Sequence, residues 1–179
     1  MIIGESMNKK NWHGILRIIE INHTNPNGDV LWSAKNILNL LHQEGEEFIL
    51  RAAFSGGRVS TVIPDDYYLG LDNRQAVAAL DTMDDLVGEP TGRGYERQSI
   101  SSSGDFSINF EQGHYVATSP IVAFRCNSGS WGPVSNLFIT DKSDNSGFLI
   151  ATAAMPTGVF VNEGESVTMR IGMQLKACT

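Results

Sequence analysis

The end of the chain constrains its fold most. From Val167 onward, Val167, Met169, Ile171, Met173 and Leu175 alternate with Thr168, Arg170, Gly172, Gln174 and Lys176. A helix would scatter such a pattern around its circumference, whereas a strand sends every second side chain to one face. The stretch therefore predicts a strand with one buried face, and that face requires a sheet beside it and a layer above it. The preceding sequence offers both. Tyr95–Ser99, Phe106–Phe110, Tyr115–Thr118, Ile121–Cys126, Asn136–Thr140 and Gly147–Ala154 read as strands. Ser101-Ser102-Ser103-Gly104, Asn127-Ser128-Gly129-Ser130 and Asp144-Asn145-Ser146-Gly147 punctuate them, and Asn162-Glu163-Gly164-Glu165 is a tight turn before the last strand. Six or more short strands spaced by turns predict a mainly β chain folded as a single β-sandwich of jelly-roll type.

The first half adds a hairpin and a helix. Gly14–Asn22 reads as a strand, Asn25-Pro26-Asn27-Gly28 as a turn, and Asp29–Ile37, through Val30, Leu31 and Trp32, as the returning strand. A helix of about 12 residues follows, with Leu41, Phe48 and Ala52 on one face and Ile49 and Ala53 beside them. Glu44, Glu46 and Glu47 fall in its first turn, where the helix dipole favours negative charge, and Ser55-Gly56-Gly57 ends it. Residues 58–66 read as a linker and Tyr67–Leu71 as a buried aromatic strand. Asp81 or Thr82 can cap one further helical turn. Gly88–Arg97 leads by a flexible glycine turn into the next strand. The stretch from Gln43 to Arg97 thus gives a helix packed on a sheet, with no chemistry of its own.

At 179 residues the chain suits one domain, here 14–179, preceded by an arm, 1–13, whose large apolar residues are Ile2, Ile3 and Trp12. Charged residues are only 18%, and Ser, Thr, Asn and Gly fill the difference, as in turn-rich β folds. The formal net charge of −7 repels phosphate backbones, so nucleic acid is not an expected partner. No run of 18 apolar residues is present, so no membrane partner is expected either. With no export signal visible, Cys126 and Cys178 are expected in a reducing compartment, and Cys126 reads as a small buried hydrophobe. Whether the two pair is open at this point.

The sequence displays no catalytic, cofactor-binding or metal-ligating constellation. There is no nucleophile elbow, no phosphate-binding glycine loop and no cysteine pair at zinc spacing. His13, His23, His42 and His114 are scattered and read as exposed or singly hydrogen-bonded. Asp81, Asp84 and Asp85 lack the alternate spacing and later glutamate of a calcium loop. Trp131, in Gly129-Ser130-Trp131-Gly132-Pro133, is the one tryptophan expected to be exposed, and so the one candidate platform for stacking a sugar.

The order of these signals resembles a group of small virion proteins of tailed bacteriophages. The residues concerned are Asp29-Val30-Leu31-Trp32, Lys35-Asn36-Ile37-Leu38, Glu44-Gly45-Glu46, Tyr68-Leu69-Gly70-Leu71 and Asp81-Thr82. The run Glu89-Pro90-Thr91-Gly92-Arg93-Gly94-Tyr95-Glu96-Arg97-Gln98 and the turn at Gly164-Glu165 complete the set. The resemblance implies a non-enzymatic structural protein of the virion, a capsid decoration or cement protein that binds the major capsid protein or other virion proteins. In that role the protein is expected to act as a homo-oligomer, and the lack of any ligand cluster at workable spacing predicts that it needs no cofactor. The alternative within that setting is a neck, tail or fibre-base component with a carbohydrate-binding or host-adhesion role. A small hydrolase would need a nucleophile–base pair, and the sequence displays none.

Overall fold

The computed structural model describes residues 12–54, 63–111 and 113–177, with side chains from 17 to 174 within them. Its elements are β1 (Trp12–Thr24), β2 (Val30–Leu38), β3 (Leu40–Leu41), α1 (Gln43–Phe54), β4 (Asp66–Asp72), β5 (Gln98–Ser101) and β6 (Ser107–Glu111). There follow β7 (His114–Thr118), β8 (Val122–Arg125), β9 (Ser130–Thr140), β10 (Leu149–Asn162) and β11 (Ser166–Ala177). The strands form two antiparallel sheets. Sheet A runs β2-β1-β11-β7-β6 with β8 also on β11, and sheet B runs β3-β10-β9-β4-β5. The chain is a β-sandwich with an N-terminal hairpin and, among the described residues, one short helix and one 3-10 turn (Met83–Asp85).

The alternation of the last strand decides how the layers meet. Val167, Met169 and Ile171 are buried, and β11 lies inside its sheet, between β1 on one side and β7 and β8 on the other. Ile18 and Ile21 of β1 stand opposite Ile171 and Met169 and share their face. Facing them from sheet B are Leu69, Leu71, Leu137, Ile139, Ala151 and Ala153, which join them in one apolar cluster. β7 and β8 run end to end along β11, and Ser119 bridges the gap between them. Its N–H donates to the Ile171 carbonyl at 3.0 Å and its hydroxyl accepts from the Ile171 N–H at 3.1 Å, so the ladder loses no bond there.

The turns at one end are clipped together. Gly28 closes the β1–β2 turn at φ 89, with the Asn25 side chain accepting from the N–H groups of Asn27 and Asp29. His23 Nε2 donates to Glu165 at 2.8 Å, tying β1 to the β10–β11 turn. Burial alone would raise the Glu165 carboxyl. Bonds from the Asn162 N–H, His23 and the Asn162 side chain outweigh it and hold the group below the usual carboxylate range.

Several sequence expectations need correction. Leu41 belongs to β3 rather than to the helix face, and within α1 the buried residues are Gly45 and Phe48. Tyr95–Arg97 is not strand, because the ladder to β4 begins only at Gln98. Asn136–Thr140 is the second half of a longer strand starting at Ser130, and Gly147–Ala154 begins at Leu149 and continues to Asn162. The expected arm, 1–13, stops short of Trp12, since Trp12 and His13 pair with Ala177 and Lys176. Residues 1–11, the helix stop at Ser55-Gly56-Gly57, most of the 58–66 linker and Cys178 lie outside the described residues.

Ile171, fully buried at the centre of sheet A, is the position that tests this arrangement. Ile171→Asp forces an unpaired carboxylate into the core and is expected to cost about 4 kcal/mol or more in denaturant unfolding. A loss below about 1 kcal/mol, the range of ordinary surface substitutions, would mean that β11 presents the opposite face.

Candidate functional site

Three groupings stand out once the sheets are in place. The first is the run Glu89–Arg97. The Arg97 guanidinium grips the Glu89 carboxylate with two parallel bonds, Nε to Oε1 at 2.9 Å and Nη2 to Oε2 at 2.7 Å. The Arg97 side chain is only 7% exposed. The same guanidinium donates to the Asp144 carbonyl at 2.6 Å and to the Asn145 side chain, and lies 5.1 Å from the centre of the Phe138 ring. The Tyr95 hydroxyl donates to Glu89 Oε1 at 2.7 Å and accepts from the Leu71 N–H at 2.8 Å. Its ring stacks on Phe124 of sheet A at 5.9 Å and meets the edge of Trp131 of sheet B at 5.5 Å. Burial, with the Glu89 charge beside it, pushes the Tyr95 hydroxyl far above its ordinary range, so it stays a neutral donor.

Two local backbone features hold the run in place. Gly92, Arg93 and Gly94 all adopt positive φ, and a side chain at Gly94 would strike Asn127. The Asn127 N–H donates to the Arg93 carbonyl at 2.8 Å, and the Arg93 side chain bonds the Ser130 carbonyl. The glycine turn is therefore a fastened corner. Trp131 is another correction: it is 4% exposed within β9, and offers no surface for stacking a sugar.

The second grouping is polar and lies under the segment joining β4 to β5. Asp72, fully buried, accepts from Arg74 N–H at 2.8 Å and Arg74 Nε at 3.3 Å. Arg74 Nη1 reaches Asp81 at 3.3 Å, and Asn136 bonds the Arg74 carbonyl. His42 is fully buried, with Nε2 at 2.9 Å from Thr152 Oγ1. Desolvation lowers the His42 pKa. The Asp81 charge and the backbone of Asp81 and Ala79 oppose that shift, and the Arg74 charge adds to it. Hydroxyl and imidazole here have the spacing of a nucleophile and its base. Both are sealed, Thr152 at 3% exposure, so no substrate carbonyl has an approach and the pair serves packing.

Thr82 is the N-cap of the 3-10 turn, bonded through its N–H and hydroxyl to Asp85 at 2.9 Å, which holds the Asp85 carboxyl below its usual range. Among the described residues, Asp81, Asp84 and Asp85 join no group of three or more His, Cys, Asp or Glu placed to hold a metal ion. Of the other histidines, His23 is clipped to Glu165 and His114 lies at the start of β7. The side chain of His13 is outside the described residues. Cys126 is buried and free, its Sγ donating to the Ser128 carbonyl at 3.3 Å.

The third grouping faces solvent. β6 is the last strand of sheet A and every one of its residues is exposed. Its register pairs Ile108 with Ala117 and Phe110 with Tyr115, and Ala117 in turn faces Met173 of β11. Directly opposed residues share a face, so Ile108, Phe110 and Tyr115 continue the face that Met173 packs against the core. Among the described residues sheet A outreaches sheet B here, and its apolar face stands uncovered. Ile108 is 69%, Phe110 66% and Tyr115 69% exposed, with the two rings edge to face at 5.2 Å. Covering Ile108 and Phe110 would contribute about 2 kcal/mol each. No helix of the described residues is long and apolar enough to cross a membrane. Neither a protein-family model nor a curated protein matches the chain.

Two measurements check the polar groupings. Arg97→Ala leaves Glu89 without its partner and is expected to cost about 3 kcal/mol, whereas Arg97→Lys restores less than half because an ammonium cannot make the paired bonds. Stability should also fall on acidification. A histidine with a lowered folded pKa binds fewer protons than in the unfolded chain. Its contribution is therefore full above the unfolded pKa of about 6.5 and is lost as pH drops through the folded value. His42→Gln, which keeps a polar atom towards Thr152, is expected to flatten the decline in melting temperature between pH 7 and pH 5. An unchanged decline would assign it to other groups.

Proposed function

We propose that the protein is a non-enzymatic structural component of a tailed-phage virion, a decoration or cement protein that binds the major capsid shell and reinforces it. The observation that carries this reading is the uncovered apolar face of the β6–β7 hairpin, Ile108, Phe110 and Tyr115, on a sandwich otherwise closed over its polar groups. An edge hairpin of that kind is a docking element, because water is a poor neighbour for three large side chains in one row. The resemblance of the Glu89–Gln98 run and its companions to small virion proteins supplies the setting. The fastened corners support a cement role, since a protein that stiffens a shell gains by deforming little under load. A net charge of −7 suits the outside of the shell, away from the packaged genome. Burial of Trp131 removes the sugar platform that favoured a host-adhesion role.

The test is co-purification. The protein is expected to band with intact particles at a constant ratio to the major capsid protein. Phe110→Asp combined with Tyr115→Asp, both at exposed positions, should lower that occupancy at least tenfold while moving the melting temperature by no more than about 2 °C. Protein that stays in the soluble fraction, or a double variant that binds particles as well as the parent, would sink the reading.

A further inference from the structure

We propose that β6 is the contact edge of a two-fold homodimer, pairing antiparallel with β6 of a second copy in a register centred on Asn109. The inference rests on reading the β6–β7 hairpin as an assembly surface, and it names the occupant.

The edge strands differ in how they are guarded. β3 is two residues long and β5 four, both short for pairing with another chain. β2 carries Lys35 and, beside it, Asn36 at φ 55, and its ladder to β1 is shifted between His23 and Thr24. β6 has none of these devices. Its five pairs with β7 run without a shift, and it holds no proline, lysine or bulge. In an antiparallel ladder alternate residues send their N–H and C=O groups outward at an edge, so β6 presents unpaired backbone as well as apolar side chains.

The order of side chains selects a second copy as the occupant. Two-fold pairing requires that residue i meet j while j meets i. With Asn109 on the axis, Ser107 meets Glu111 of the other copy, Ile108 meets Phe110, and Asn109 meets itself. Apolar residues oppose apolar ones, and Asn109 supplies both donor and acceptor to its own image. Glu111 falls opposite a serine and so avoids its own copy, and Arg17 already lies 3.9 Å from it. A register displaced by one residue puts Ile108 against Asn109 and divides the apolar side chains between the two faces. One centred on Glu111 sets two carboxylates against each other. Registers centred on Ile108 or Phe110 also keep the apolar side chains on one face, but each leaves two residues of the strand without a partner in the other β6, whereas the Asn109 register pairs all five.

The register can be read by cross-linking in the full chain carrying Cys178→Ser. Opposed residues about an antiparallel axis lie roughly 4.5–5.5 Å apart at Cα, inside the window for a disulfide. Asn109→Cys is expected to form a covalent dimer on mild oxidation. Ser107→Cys and Glu111→Cys should do so only when mixed. Sedimentation velocity over a concentration series should show Ile108→Lys moving the monomer–dimer midpoint at least tenfold higher. A monomer at every concentration, with Asn109→Cys linking no faster than Ser107→Cys alone, overturns the proposal. Should Ile108→Lys leave self-association unchanged yet strip the protein from particles, the edge belongs to the shell, and the dimer falls while the virion reading stands. A cross-linked dimer that never bands with particles supports the dimer and overturns the virion role.

Discussion

The bond between Glu89 and Arg97 ties several distant parts of this structure together. A buried guanidinium is tolerated only when its donors are met, and here they are met by the Glu89 carboxylate and, from a distant turn, by the Asp144 carbonyl and the Asn145 amide. Because Glu89 also accepts from Tyr95, the pair fixes the ring that touches Phe124 in one sheet and Trp131 in the other. Arg97 lies over Phe138, and that ring occupies the space above Gly70 where any side chain would collide. One ion pair thus sets the seam between the sheets and the covering of the outer face of sheet B. The cost of desolvating it is offset by the number of groups it satisfies.

That covering explains why the proposed interface falls where it does. The outer face of sheet B carries Asp72, Asn136, Thr140 and Thr152, residues that in an ordinary sandwich would meet water. The β4–β5 segment lies over them instead, with Met83 and Leu86 joining Phe138 and Leu149 in a second small apolar cluster. Sheet B is therefore closed on both sides. Among the described residues sheet A has no such cover past Met173, and Ile108, Phe110 and Tyr115 of its outlying hairpin stand exposed.

Much of this was legible in the sequence, and the losses have physical causes. Period-two alternation located β11 and its buried face, because one side of that strand meets the core and the other does not. Asn25–Gly28 announced the first hairpin through residues whose backbone preferences are local. Asn136–Thr140 was legible as a strand, but its start at Ser130 was not, because both faces of this strand are buried over Asn136–Thr140 and no period-two alternation marks its extent. Trp131 looked exposed because glycine and serine flank it, but its burial comes from Tyr95 and from strand pairing with Val161. The run Glu89–Arg97 read as a loose turn before a strand, since its partners Leu71, Phe124, Phe138 and Asp144 are distant in sequence. His42 and Thr152 are likewise brought together across 110 positions.

The hairpin β6–β7 is the instructive exception, because there the sequence pattern and the structure disagree without either being misread. Ile108 and Phe110 alternate with Ser107, Asn109 and Glu111 as cleanly as any core strand. Alternation of that kind normally records a face that is covered. In β11 the cover is sheet B; at β6 no described residue supplies one, and the same pattern meets solvent. Two large apolar residues at an edge lower solubility and invite mispairing unless something occupies them. A strand whose pattern asks for a layer that the described residues do not supply fits the proposed role of β6 as one half of a surface, with the other half brought by assembly.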